Sequence, residues 1–247
     1  MHLVAYNLRM GGSAAHWRAL DGAFAPELVL AQESAAPPPS TNGGAVHWRP
    51  VPGHRWGSAL FLRSGTVEPV PVRGFDGWVV AADVHGLAPA PLRVVSLHVP
   101  AGRGGYIAVA QRILDRLARG CRGRTFLIGG DFNMTCGRRL EAEERKNEPA
   151  QLALLERLEG EFGLVNAWQL ANPDRPLAQT LRWTANPVTP YHCDGIFLPR
   201  AWAGAVLAAE VVAGGEWDRL SDHNPVVVRL LEPWPHAATA SATAGAG

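Results

Sequence analysis

Short apolar runs in this chain end, again and again, on an Asp, Glu, His or Asn. Asn7 closes the run that begins at His2, and Glu33 follows Leu28-Val29-Leu30-Ala31-Gln32. His98 follows the run 92–97, and Asp131 and Asn133 follow Phe126-Leu127-Ile128-Gly129-Gly130. Asp194 opens Gly195-Ile196-Phe197-Leu198, and Asp222 and His223 precede Pro225-Val226-Val227-Val228. One polar residue at a strand end is ordinarily a turn or cap residue. So many of them imply sheets packed together with their ends meeting in one cleft. That cleft would hold four carboxylates, two imidazoles and two amides.

The patterning predicts strands at 2–7, 27–32, 46–51, 58–62, 78–84, 92–99, 125–129, 193–198, 205–212 and 225–231. Several are short, rich in Val, Ile and Leu, and bounded by Gly, Pro or Asn. Helices are predicted at 13–24, 106–119 and 149–162. Ser13 suits an N-cap, and Pro149 suits a first helical turn. Ile107, Ala110, Leu114 and Leu117 recur at helical spacing. Many strands with few helices predict an α/β (α+β) chain with packed sheets and helices outside them, not a simple doubly wound sheet. A length of 247 residues suits one large domain. Residues 1–232 are expected to form it, with 35–44 a loop insertion and 233–247 a disordered tail.

Composition removes several classes. Lys+Arg is 23 against Asp+Glu 22, a net charge of +1, which excludes a bulk polyelectrolyte coat or an acidic solvating tail. No apolar run approaches the ~18 residues of a membrane span. The N-terminus lacks the charged and apolar segments of a secretory signal. Cys121, Cys136 and Cys193 are an odd count at irregular spacing, without a CxxC pair. A reduced, cytoplasmic, monomeric protein is the expectation.

Clustered carboxylates repel one another, and a hard divalent cation offsets that repulsion. Oxygen-only ligands suit Mg²⁺ or Mn²⁺. Such an ion polarises a phosphoryl oxygen and stabilises a leaving oxygen. The remaining Asp, Asn and His side chains are of the types that orient water and stabilise developing charge.

Six strings occur in order over roughly residues 2–231: Ala5-Tyr6-Asn7-Leu8-Arg9, Leu30-Ala31-Gln32-Glu33-Ser34, Ser96-Leu97-His98-Val99-Pro100, Gly130-Asp131-Phe132-Asn133, Cys193-Asp194-Gly195-Ile196-Phe197 and Leu220-Ser221-Asp222-His223-Asn224-Pro225-Val226. Together they resemble the endonuclease/exonuclease/phosphatase superfamily. The resemblance implies a four-layered sandwich of two packed mixed β-sheets flanked by helices, the deoxyribonuclease I-like fold. It also implies metal-dependent hydrolysis of phosphoesters. By the same resemblance Glu33 would bind the metal, with Asn7 supporting it and Asp222 at or near it. Asp131 would orient or deprotonate the attacking water, and Asn133 would hold the scissile phosphate. His223 would stabilise the transition state, Asp194 would orient a catalytic His, and His98 would donate to the phosphate or leaving group. Two departures stand out. Arg9 occupies a position that is acidic in many DNA-repair members, which favours a single metal site. His98 stands where repair endonucleases tend to carry Tyr.

Around this set, Arg103, Arg138 and Arg182 are candidate phosphate contacts, and Trp183 a candidate substrate-facing aromatic. The other tryptophans read as core. His16, His47, His54, His85 and His236 read as surface or turn residues, and His192 as a residue that could line the cleft. The expected function is a metal-dependent phosphodiesterase acting on nucleic acid by in-line water attack, as an endo- or exonuclease. The alternatives are a small-molecule phosphoesterase of the same fold, for a nucleotide, inositol phosphate or phospholipid headgroup, and a non-catalytic binding module.

Overall fold

The computed structural model describes residues 1–38, 43–121, 124–186 and 189–231. The expected tail and the expected domain end at residue 232 lie outside the described residues, as does 39–42 of the loop insertion. One six-stranded sheet contains β1 (His2–Gly12), β2 (Leu28–Ser34), β3 (Ala45–Pro50), β4 (Gly57–Leu62), β11 (Val206–Val211) and β12 (Val226–Leu230), in the order β11-β12-β1-β2-β4-β3. The other contains β5 (Thr66–Val70), β6 (Val79–His85), β7 (Leu92–His98), β8 (Phe126–Asp131), β9 (Leu164–Asn166) and β10 (Asp194–Pro199), in the order β5-β6-β7-β8-β10-β9.

Alternation along the strands makes the layers, because successive side chains point to opposite faces. In β1, Leu3 and Ala5 enter the core between the sheets, while Val4 and Tyr6 enter a core on the outer face. That outer core is closed by Trp17 and Leu20 of α1 (Ala14–Phe24) and by Trp217 of the one-turn helix α5 (Trp217–Leu220). The second sheet is covered by α2 (Gly105–Cys121) and α3 (Pro149–Gly160), through Ile113, Leu117, Leu154 and Leu158. A short helix α4 (Ala167–Ala171) and a 3₁₀ turn Arg200–Ala205 complete the elements. The result is helix, sheet, sheet, helix: four layers.

A polar link crosses the apolar core between the sheets. Gln32 Nε2 of β2 donates to Ser96 Oγ of β7 at 2.9 Å, and Ser96 Oγ donates to the Ala31 carbonyl at 3.2 Å. These bonds tie one sheet to the other beneath the strand ends, and a one-residue slip of either strand would turn one partner away.

Most predicted elements form within a few residues of the expected bounds. Ser13 caps α1, accepting from Ala15 N at 3.2 Å. β1 overruns its expected end at Asn7. It continues to Gly12 through left-handed Arg9 and Met10 (φ 54° and 48°) and a register shift against β2. The strands that the pattern missed, β5 and β9, are both sheet edges, where neither a long nor a wholly apolar run is required. β5 carries Pro69, which edge strands tolerate.

Candidate active site

Strand direction explains why some of the polar residues follow their strands and others precede them. β1 and β2 are parallel, with α1 as the crossover; β7 and β8 are parallel, with α2 as the crossover. Their C-terminal ends therefore deliver Asn7, Glu33, His98 and Asp131 to the same side. β10 runs antiparallel to β8 and pairs Asp194 with Asp131, so it delivers the residue at its start. β12 runs antiparallel to β1, so the loop before it brings His223 back to Asn7. Ser221 secures that loop: its Oγ donates to the Asn7 carbonyl at 2.8 Å and accepts from His223 N at 3.1 Å.

The side chains meet around Asp131. Its Oδ1 accepts from Asn133 N at 2.8 Å, and its Oδ2 accepts from Asn7 Nδ2 at 3.0 Å. Asn7 Nδ2 also reaches Glu33 Oε1 at 3.2 Å. His98 Nε2 stands 3.7 Å from both Glu33 Oε1 and Asp131 Oδ2. His223 Nε2 stands 3.9 Å from Asp131 Oδ2, while its Nδ1 bonds Asp194 Oδ2 at 2.9 Å. Glu33 and Asn133 both hold left-handed backbone (φ 50° and 51°). Asn adopts that region readily, Glu seldom. Only Glu33 is therefore strained there, a cost that the surrounding contacts must offset.

Burial and charge oppose each other at His223. Burial favours neutral imidazole, but the carboxylates of Asp194, Asp131 and Asp222 outweigh it and push the His223 pKa up to about 10. Its imidazolium therefore persists at neutral pH. Asp194 is buried and rests on Thr180, whose Oγ1 accepts from both Cys193 N (2.9 Å) and Asp194 N (3.0 Å). Cys193 Sγ adds a contact to Asp194 Oδ2 at 3.4 Å.

Solved structures share this architecture. An AP endonuclease from Archaeoglobus fulgidus superposes with a TM-score of 0.70 at 15% identity, over 93% of this chain and 99% of that one. A 3′ phosphatase from Neisseria, bound to a product DNA hairpin, gives 0.71 at 16% identity, again over 93% and 99%. The endonuclease domain of TRAS1, a telomere-specific non-LTR retrotransposon, gives 0.64 at 17% identity, over 93% and 97%. The chain has the deoxyribonuclease I-like fold. No protein-family model and no curated protein sequence matches it.

In this deoxyribonuclease I-like fold, two clusters could interest a metal ion. Ligand atoms of Cys193, Asp194 and His223 lie within 4.8 Å of one another. That cluster is already internally bonded, and burial pushes the Cys193 thiol well above its usual pKa, so it offers no thiolate. The Glu33 end is different. It presents carboxylate oxygens of Glu33 and Asp131 bridged by the Asn7 amide, with the Glu33 side chain 17% exposed and so open to the waters that a hard ion keeps. The donor chemistry there fits a hard divalent cation.

The flanking residues divide. Asp222 pairs with Arg9, its Oδ2 3.6 Å from Nε. Arg138 is bidentate to Glu159 (2.8 and 3.2 Å). Arg182 holds loops together: it bonds Asn224 Oδ1 and the Ser221 carbonyl and pairs with Asp218 at 3.2 Å. Arg103 lies on an exposed turn, its carbonyl accepting from Arg112 at 3.2 Å. Trp183 is exposed and lines a cavity beside Asn133. His192 is buried behind the cavity it shares with Trp183, its Nδ1 bonded to the Ala178 carbonyl at 2.7 Å and its ring edge-on to Trp168. His16 is no surface residue: it is buried and bonds the Leu220 carbonyl at 2.7 Å. Sequence reasoning missed Thr180, Ser221 and Gln32 as supports. Only Ser221 and Gln32 carried a signal, by adjoining Asp222 and Glu33 within the quoted strings.

Proposed function

We propose that this chain is a divalent-metal-dependent phosphoester hydrolase whose preferred bond is the phosphodiester of nucleic acid. The observation that carries the reading is the meeting of Asn7, Glu33, His98, Asp131, Asn133, Asp194 and His223 in one cleft. Asp131 is fixed by two donors and accepts the proton of an attacking water. His223, charged and oriented by Asp194, donates to the phosphoryl oxygen that gains charge in the transition state. Asn133 and His98 supply further donors to the phosphate. Glu33 and Asn7 would hold Mg²⁺ or Mn²⁺, which when bound polarises the phosphoryl group. The activities in the names of the similarly folded proteins, AP endonuclease and 3′ phosphatase on DNA, support nucleic acid as the substrate class.

No described helix is long and apolar enough to cross a membrane. Cys136 and Cys193 are buried free thiols, and we read the protein as reduced and cytoplasmic. We read one catalytic domain acting as a monomer, with every central position occupied, against the alternative of a non-catalytic module.

A second reading is a small phosphoester as substrate. It is favoured by the internal partners of Arg138 and Arg182, which weaken the case for guanidiniums held ready along a duplex. A Mg²⁺-supplemented screen decides: plasmid DNA, abasic duplex and RNA against nucleotides, inositol phosphates and bis-p-nitrophenyl phosphate. Hydrolysis should vanish in EDTA and return with Mg²⁺ or Mn²⁺. Full activity in chelator would overturn the metal assignment.

A further inference from the structure

Arg9 lies where β1 swings out of its sheet at the cleft. Asn7 pairs with Gln32 and Gly12 with Ser34, so residues 8–11 stand opposite the single residue Glu33. Arg9 and Met10 turn the chain there in left-handed backbone (φ 54° and 48°), which neither residue type favours. Two bonds hold the turn. Arg9 N donates to Asn7 Oδ1 at 3.0 Å, and Met10 N donates to Glu33 Oε2 at 2.6 Å. The Arg9 backbone is thus anchored to the Asn7 and Glu33 end of the site, while its side chain reaches toward the His223 loop. Its Nε lies 3.6 Å from Oδ2 of Asp222, the neighbour of His223.

That ion pair does not account for the arrangement. The Arg9 side chain is 55% exposed and that of Asp222 27%. A pair so open to water contributes less than two left-handed residues cost. A separation of 3.6 Å is also too long for a hydrogen bond, and the guanidinium donates to no other described residue. Arg138 and Arg182 differ, since each donates to a carboxylate or carbonyl of the protein. Arg9 therefore presents an unused fork of N–H donors, a shape that matches two oxygens of a phosphate. The scissile phosphate has other partners: His98, Asp131 and His223 are buried on the floor of the cleft, whereas Arg9 stands at its rim. A phosphate at the rim is the next one along a strand. We propose that Arg9 grips the phosphate adjoining the scissile one, and so selects a nucleic-acid strand over a substrate with a single phosphate. The inference rests on the phosphoester-hydrolase reading for the position of the scissile group, and it narrows the substrate class of that reading.

Calorimetry on the full chain carrying Asp131→Asn, with Mg²⁺ present, tests it through binding alone. The ligands are a single-stranded trinucleotide with both internucleotide phosphates charged, and its two versions in which one or the other is a neutral methylphosphonate. On the Asp131→Asn chain either neutralisation should weaken binding. Adding Arg9→Gln should weaken the fully charged ligand by about tenfold, as loss of a charge-assisted hydrogen bond does. It should also flatten the slope of log K against log salt by about 0.7, the share of one single-strand phosphate. One of the two neutralisations should then cost nothing further. Arg9→Lys should keep the salt slope, because the charge remains, and recover only part of the affinity, because the fork is lost. The side chain is more than half exposed, so neither change threatens the fold. An unchanged salt slope, or two neutralisations that both still weaken binding after Arg9→Gln, would overturn the proposal. Arg9-dependent binding by a chain whose wild type hydrolyses no phosphoester would keep the Arg9 assignment and remove the hydrolase reading. Hydrolysis by a wild type whose binding is indifferent to Arg9 would do the reverse.

Discussion

Asp131 and Asp194 are both buried carboxylates, yet they are held by different kinds of partner. Asp131 takes neutral donors, Asn133 N and Asn7 Nδ2. Asp194 takes a cation, the imidazolium of His223. Asp131→Asn should therefore cut turnover by orders of magnitude with little change in melting temperature. His223→Ala should also cut turnover, but at a cost in stability of about 3–5 kcal/mol, because the buried Asp194, whose pKa burial raises, loses the cation that compensates its charge. Equal melting temperatures for the two variants, read by calorimetry, would contradict this division. Thr180→Val strands two buried N–H groups, those of Cys193 and Asp194, at about 1–3 kcal/mol each. Chemical denaturation should show that loss, and Thr180→Ser should recover most of it. Thr180 was not legible in the sequence, since a hydroxyl receiving two amides from thirteen and fourteen residues away leaves no local pattern. The left-handed backbone of Glu33 was equally hidden, for nothing in the residue type announces it.

Among the elements, β8 shows how tightly a strand can be written for its site. Gly130 has φ 135°, and a Cβ there would lie 2.1 Å from the Leu97 carbonyl and 2.7 Å from Gln32 Nε2. Gly130→Ala should prevent close pairing of β7 with β8. A sharp fall in soluble yield or melting temperature would follow, and a stable, active Gly130→Ala protein would refute the argument. The long, buried strands were legible because their apolar runs and their closing residues agree. The edge strands β5 and β9 were not, since edges are short and partly solvated. The short helices α4 and α5 exist through packing: Trp168 and Trp217 are buried, and four or five residues would not be helical alone. The site's central residues were legible for the same reason as the strands, each standing at a strand end. The arginines were not, because spacing does not reveal which carboxylate a guanidinium will find.

For the whole molecule, two buried histidines set opposite limits on pH. Burial pushes His192 down to about 4, against the partial opposition of its hydrogen bond to the Ala178 carbonyl. Below the ordinary histidine value of about 6.5 the unfolded chain binds a proton that folded His192 refuses, so its contribution to stability, complete above that value, is lost as pH falls to about 4. His223 runs the other way. With its pKa raised to about 10, its contribution is complete below about 6.5 and is lost as pH rises through about 10. Melting temperature should thus peak near neutrality and fall on both sides. His192→Gln should flatten the acid side, and an unaltered acid side would contradict the assignment. The pairing of β1 with β12 bears on biosynthesis. A chain still emerging from the ribosome already carries Asn7, Glu33, His98 and Asp131, but its β1 has an open edge and its cleft lacks His223. Closing β1 against β12 and bringing His223 beside Asn7 are therefore a single event, since one loop does both.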